Sequence, residues 1–312
     1  MKQYLHIHWS TQADQTFVLP LDDSFDPFND HKNLFFLKSE SFTFKGGEPH
    51  FRITTPDIEY IQNKRLIITQ RYNDVSDIFK IILAVDAARR LDFQHIELIL
   101  PYFPAARQDR VCNEGEPLTV KIFADLINQC GFKKVYIFAP HSEVTPALLN
   151  NVVVVDELEY AEKVIEHCLK TSALENEFNI VCPDAGAGKR VQKIAAHLTK
   201  KFKQCKFDII RCEKVRDVKD GSLKEFFVQA DDLGKKPSII FDDILSMGGT
   251  FIGLGNKLKE KNCGSLMLFT AHADCQAGIE NMINFFDHTF TTNSKFHRDY
   301  GYDRYTMFEF KV

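Results

Sequence analysis

Ser238–Phe251 reads SIIFDDILSMGGTF, and this stretch decides the fold. Ile239-Ile240-Phe241 is the apolar, largely β-branched run expected of a parallel strand covered on both faces. Asp242 and Asp243 follow, where the strand is expected to end. Ser246, Met247, Gly248, Gly249 and Thr250 then lead into a helix expected at about 252–261. Ligands of open α/β sheets gather beyond the carboxyl ends of strands. Glycines let backbone N–H groups approach phosphate oxygens, and a helix N-terminus favours negative charge. Two adjacent carboxylates can accept hydrogen bonds from a vicinal diol, or hold Mg²⁺ through water. The stretch therefore outlines a sugar-phosphate site; its plainer reading is a capped helix after a buried strand.

The same strand-then-helix rhythm extends outward in both directions. Strands are expected at Leu66–Thr69, Ile96–Leu100, Val135–Phe138, Val152–Val155, Asn179–Cys182, Phe207–Arg211 and Ser265–Thr270. Helices are expected from about Val75, where Asn73-Asp74 can cap, and at Val120–Gln129, Tyr160–Leu169, Lys189–Leu198 and Ala277–Asn284. Near the N-terminus, 3–9 and 15–19 alternate as a short hairpin would, and Leu34–Leu37 and Ser41–Phe44 read as two more strands. Alternation of this kind calls for parallel sheets with right-handed crossovers, and its recurrence suggests two similar α/β halves.

Composition narrows the class. The chain has 312 residues, 44% apolar and 26% charged, with a net charge of −4, so no overall basic balance points to nucleic acid. The 28 Phe residues suit core filling better than base stacking. Eight Cys occur without a C-x-x-C pair, as expected of reduced structural thiols in a cytoplasmic protein. The N-terminus lacks the apolar core of a signal peptide, and no run approaches the roughly 18 apolar residues a membrane helix needs.

Several charged segments fall just past strand ends. They include Ala106-Arg107-Gln108-Asp109-Arg110, Pro140-His141, Pro183-Asp184-Ala185-Gly186 and Lys214-Val215-Arg216. Arg107 offers a planar fork of donors suited to phosphate oxygens. Lys214 and Arg216 sit two residues apart on an extended segment, a spacing that lets both cations face one phosphate. Together with Asn73-Asp74, Asp86-Ala87 and the Asp242–Thr250 window, these segments resemble the ribose-phosphate pyrophosphokinase family, from near Phe44 to about Ser294.

The resemblance implies two tandem type I phosphoribosyltransferase-like domains with central parallel sheets, expected at 1–148 and 149–296, with 297–312 packing back on the first. It implies transfer of the β,γ-diphosphate of ATP to the anomeric hydroxyl of ribose 5-phosphate, with Mg²⁺, by a homo-oligomer (dimer or hexamer). It places Arg107, Gln108 and Asp109 at ATP, Phe44 and Glu48 at its adenine from a neighbouring subunit, and His141 and Asp184 at the metal ion. It makes Lys214 and Arg216 the catalytic cations, sets Asp242 and Asp243 on the ribose hydroxyls, and cradles the 5-phosphate in Ser246–Thr250.

Three positions depart from the family pattern. Ser246-Met247 replaces the usual Asp-Thr, removing a hydroxyl that would bond the 5-phosphate; Ala139 stands where an Asp often precedes the Pro-His step; and Gly115 replaces an Arg. A phosphodiester carries less charge than a monoester and extends further, so ADP-ribose is an alternative acceptor, leading to a 1-pyrophosphate for NAD salvage. A regulatory paralogue without activity is a further alternative. Retention of Lys214, Arg216, Asp184 and both window carboxylates argues against it.

Overall fold

The computed structural model describes residues 16–29, 31–54, 64–171, 176–216, 223–296, 298–299 and 301–312, with only the backbone at 215, 216 and 223–225. The hairpin expected at 3–9 lies outside these residues. The chain forms two compact units, 1–155 with 310–312, and 156–309.

In the first unit, β1 (Thr16–Pro20), β2 (Leu34–Phe36), β3 (Lys38–Thr43), β4 (Pro49–Thr54) and β5 (Arg65–Thr69) precede α1 (Val75–Arg90). There follow β6 (His95–Ile99), α2 (Thr119–Gln129), β7 (Lys134–Phe138), α3 (Val144–Leu148) and β8 (Val152–Val155). Six strands form one sheet in the order β2-β1-β5-β6-β7-β8, every pairing parallel. β3 and β4 form a separate antiparallel hairpin. Thr16–Pro20 was expected in a hairpin, but it pairs parallel with both β2 and β5. Period-two alternation reports which face is buried and not the direction of the neighbour. β8 hydrogen-bonds to β7, so the first sheet runs past the boundary expected at 148.

α1 starts where its cap requires. The Asp74 carboxylate accepts from the Ser76 N–H, while the Asp77 carboxylate accepts from the Asp74 N–H, closing a capping box. Ile78, Ile81, Ala84, Val85 and Ala88 then make one buried stripe against Leu66, Ile68, Leu98 and Ile96 of the sheet. Asp74→Ala is expected to cost about 1 kcal/mol and lower the melting temperature by about 2–4 °C, as followed by circular dichroism.

The second unit comprises α4 (Leu158–Thr171), β9 (Glu177–Cys182), α5 (Gly188–Lys201), β10 (Lys206–Arg216), β11 (Leu223–Val228) and β12 (Ser238–Leu245). It continues through α6 (Gly249–Glu260), β13 (Leu266–Ala273), α7 (Gln276–Ile283), β14 (His288–Thr292) and β15 (Tyr305–Phe308). Its sheet runs β11-β10-β9-β12-β13-β14-β15, parallel except for the antiparallel β10–β11 pair. β12 is buried along nearly its whole length, as Ile239-Ile240-Phe241 requires. The C-terminal tail divides. Tyr305–Phe308 is the edge strand of this second sheet, and only Phe310–Val312 fall with the first unit. There the Phe310 ring stacks on Phe25, and the Val312 N–H donates to the Pro27 carbonyl. Among the described residues, all eight Cys are free and no helix is long and apolar enough to cross a membrane.

Candidate active site

The organising window ends later than its sequence suggests. β12 continues through Leu245 because Ile244 and Leu245 are apolar and pair with His272 and Ala273 of β13. Asp242 and Asp243 therefore lie within the strand, and α6 begins at Gly249 instead of 252. Gly248 caps that helix at φ +81°, a left-handed conformation that favours glycine. A Cβ there would come within 2.2 Å of the Met282 Cε, so the position is closed sterically as well.

Asp243 is buried and Asp242 half-buried, and the Asp243 N–H donates to the Asp242 carboxylate at 2.9 Å. Burial first, and then the charge of Asp243, push the Asp242 carboxyl up to about 8. Met247 is 56% exposed on the loop, with its Sδ 4.0 Å from the Cys275 Sγ. Ser246 and Thr250 are half-buried and Gly249 is exposed.

Strand register brings the other second-unit candidates to the same edge. Val181 of β9 pairs with Ile210 of β10 on one side and with Ile240 of β12 on the other. Asp184, Lys214 and Asp242-Asp243 all lie two to four residues beyond that row, at one level across the carboxyl halves of three adjacent strands. β9 lies between β10 and β12, so β10 and β12 are roughly 10 Å apart. The Lys214 ammonium donates to an Asp184 carboxylate oxygen at 2.6 Å, with side-chain exposures of 19% and 34%. Burial opposes ionisation of Asp184, but the hydrogen bond and charge of Lys214 and the amides of Ala187 and Gly186 outweigh it. The carboxyl is thereby held below its ordinary range. The strand expected to stop at Arg211 runs on to Arg216, because β11 pairs with its second half across a bulge at Val215/Arg216. Lys214 is therefore on a strand and not on a solvated loop; the Arg216 side chain lies outside the description.

The first unit holds the remaining candidates. Arg107 and Gln108 are exposed and Asp109 half-buried in the turn after β6, with Arg110 Nε 4.0 Å from Asp109 Oδ1. His141 is exposed just beyond β7, after Ala139 at φ +39°. Phe44 and Glu48 close the turn between β3 and β4, where the Phe44 N–H donates to the Glu48 carbonyl. Phe44 is 51% exposed and meets Phe42 and His50 edge-on, so it is not a core residue. Among the described residues, no three His, Cys, Asp or Glu side chains gather into a metal-binding set. Mg²⁺ seldom needs one, since it takes one or two carboxylates with waters and substrate phosphates.

Sequence reasoning passed over Asn281, whose side-chain amide donates to the Met247 carbonyl at 3.0 Å, and Gly278, against which the Ser246 carbonyl lies. Their signal was weak. Both sit on a helix that carries no motif.

Two parallel-sheet units, the second with an acidic pair beside a glycine turn at its strand ends, define a two-domain α/β protein of the phosphoribosyltransferase type. The fold as a whole is similar to the crystal structure of phosphoribosylpyrophosphate synthetase from Mycobacterium smegmatis, with a TM-score of 0.74, 17% identity and 95% of each chain covered. Residues 29–131 match the N-terminal domain of ribose phosphate pyrophosphokinase. Ribose-phosphate pyrophosphokinase of Campylobacter jejuni is 31% identical over 197 residues, 63% of this chain and 60% of that protein. The Pyrococcus abyssi protein of the same name is 27% identical over 247 residues, 78% of each. Over these stretches the chain is similar to ribose-phosphate pyrophosphokinases. It spans 60% of the length of the Campylobacter jejuni relative and 65% of that from Porphyromonas gingivalis.

Proposed function

We propose that the chain is an ATP-dependent diphosphotransferase that places the β,γ-diphosphate of ATP on the anomeric hydroxyl of a ribose 5-phosphate moiety. The products are a 1-pyrophosphate and AMP. The observation that carries this reading is the row of Asp184, Lys214 and Asp242-Asp243 along one edge of the second sheet. Asp242 and Asp243 accept hydrogen bonds from the ribose diol, and the loop Ser246–Thr250 holds the 5-phosphate. Lys214, with Arg216, stabilises charge developing on the transferred group and on the AMP leaving group. Arg107, Gln108, Asp109 and His141 bind ATP, with Phe44 and Glu48 at its adenine from a second copy of the chain in a homo-oligomer. His141 in the first unit and Asp184 in the second are each a candidate ligand for Mg²⁺, which would supply charge neutralisation on the phosphates.

The acceptor we assign is ribose 5-phosphate. Exposure of Met247 favours ADP-ribose as a second reading, because an apolar side chain on the open side of the cradle can pack on an extension beyond the phosphate. One assay decides among the readings. Purified protein with ATP and Mg²⁺ is offered each acceptor, and AMP release is measured. AMP release with ribose 5-phosphate alone supports the first reading, release with ADP-ribose alone the second, and release with neither overturns both in favour of a non-catalytic paralogue. If ribose 5-phosphate is the acceptor, Met247→Thr returns a hydroxyl donor and is expected to lower its KM by about three- to tenfold.

A further inference from the structure

The phosphate loop carries two features that the motif does not explain. Gly278, on α7, lies so close to the loop that a Cβ there would meet the Ser246 carbonyl oxygen at 1.7 Å. One turn further along the same helix, the Asn281 side-chain amide donates to the Met247 carbonyl at 3.0 Å. Two successive carbonyls of the loop are therefore turned toward α7. A trans peptide sets its N–H opposite its C=O, and no cis peptide occurs among the described residues. The N–H groups of Met247 and Gly248 consequently point away from α7, toward the open side of the loop. α6 begins at Gly249 without a side-chain cap, and the first-turn N–H groups of Gly249 and Thr250 have no acceptor within the helix. Four consecutive amides thus converge on one side, as an anion nest requires.

We propose that Asn281 is a positioning residue for the acceptor's phosphate. It does not touch the phosphate. By holding the Met247 carbonyl on α7, it fixes the orientation of the peptides whose N–H groups do. Its weight is greater here because position 247 supplies no hydroxyl, so backbone donors make up most of the cradle. Gly278 serves the same end by letting α7 approach closely enough for Asn281 to reach. This inference rests on the acceptor reading given above.

The test is Asn281→Ala, a substitution at an exposed helix position that retains the fold. AMP release is measured with ribose 5-phosphate varied at saturating ATP, then with ATP varied. The expected result is a rise in acceptor KM of about tenfold, with kcat and the KM for ATP within about twofold of wild type. Asn281→Asp, whose carboxylate cannot donate and repels the Met247 carbonyl, is expected to raise acceptor KM further. An unchanged acceptor KM, or an equal rise in the KM for ATP, overturns the inference while wild-type turnover leaves the acceptor reading standing. If wild type releases AMP with neither ribose 5-phosphate nor ADP-ribose, the acceptor reading itself fails and the positioning role falls with it.

Discussion

Lys214→Ala is expected to lower kcat by about 10²–10³-fold while leaving ATP affinity within about threefold of wild type. Diphosphoryl transfer needs little covalent help. It needs in-line placement and cations aimed at charge that appears only in the transition state. Under the proposed function, Lys214 would meet the second requirement in a particular way. Its backbone is held by pairing with Phe226 of β11, and its ammonium is already anchored on Asp184 at 2.6 Å, so little side-chain freedom remains to be lost at the reacting moment. The same anchoring separates a catalytic role from a structural one. An ion pair with exposures of 19% and 34% contributes at most about 1 kcal/mol to folding, so the variant should unfold within a few degrees of wild type. Lys214→Arg keeps the charge but moves it to a bulkier planar group, and should fall between. Equal losses in ATP binding and turnover, measured by calorimetry and AMP release, would show that Lys214 binds the ground state and would remove it from the catalytic role.

The parts of this site that could be read from sequence are those built from contiguous residues. Ile239–Phe241 announces a buried strand, Gly248-Gly249 announces the turn, and Asn73-Asp74 announces the start of α1. Each signal is local, and each is dominated by one physical effect. β4 escaped notice because it opens with Pro49 and is half exposed, while its partner β3 is mostly polar and exposed, so no buried periodicity marks the hairpin. β11 and β15 are strands because β10 and β14 offer them open edges, a property of the sheet and not of the segments themselves. The Lys214–Asp184 pair joins residues 30 apart, and the Asn281–Met247 bond joins residues 34 apart. Parallel register creates the first and the close packing of α7 creates the second. Neither leaves a trace in residue spacing.

Asp242→Asn is expected to produce two opposite effects, a more stable protein above neutral pH and a much weaker acceptor site. Burial, reinforced by the charge of Asp243, raises the folded-state carboxyl of Asp242 from its ordinary 3.8 to about 8. A raised folded-state value means that the stability linked to this group is complete below about pH 4 and is lost progressively as pH rises through about 8. Asn is neutral throughout and nearly isosteric, and its side-chain oxygen still accepts from the Asp243 N–H. The melting temperatures of the two proteins should therefore coincide near pH 4 and diverge in favour of Asp242→Asn toward pH 8.5, by about 3–8 °C. The acceptor site responds the other way. At pH 8.5, where Asp242 is ionised, the hydroxyls of a sugar diol donate to its carboxylate in charge-assisted hydrogen bonds, and replacing it with an amide is expected to raise acceptor KM at that pH by about 10–10²-fold. The two effects have one origin. Crowded, poorly hydrated carboxylates destabilise the empty protein and for the same reason accept strongly from a ligand that replaces their missing water, which is the stability–function conflict expected at a binding site. A variant less stable than wild type at pH 8.5 would mean that the pair is held by compensating charge and is not strained. An unchanged acceptor KM would mean that the diol is bound elsewhere.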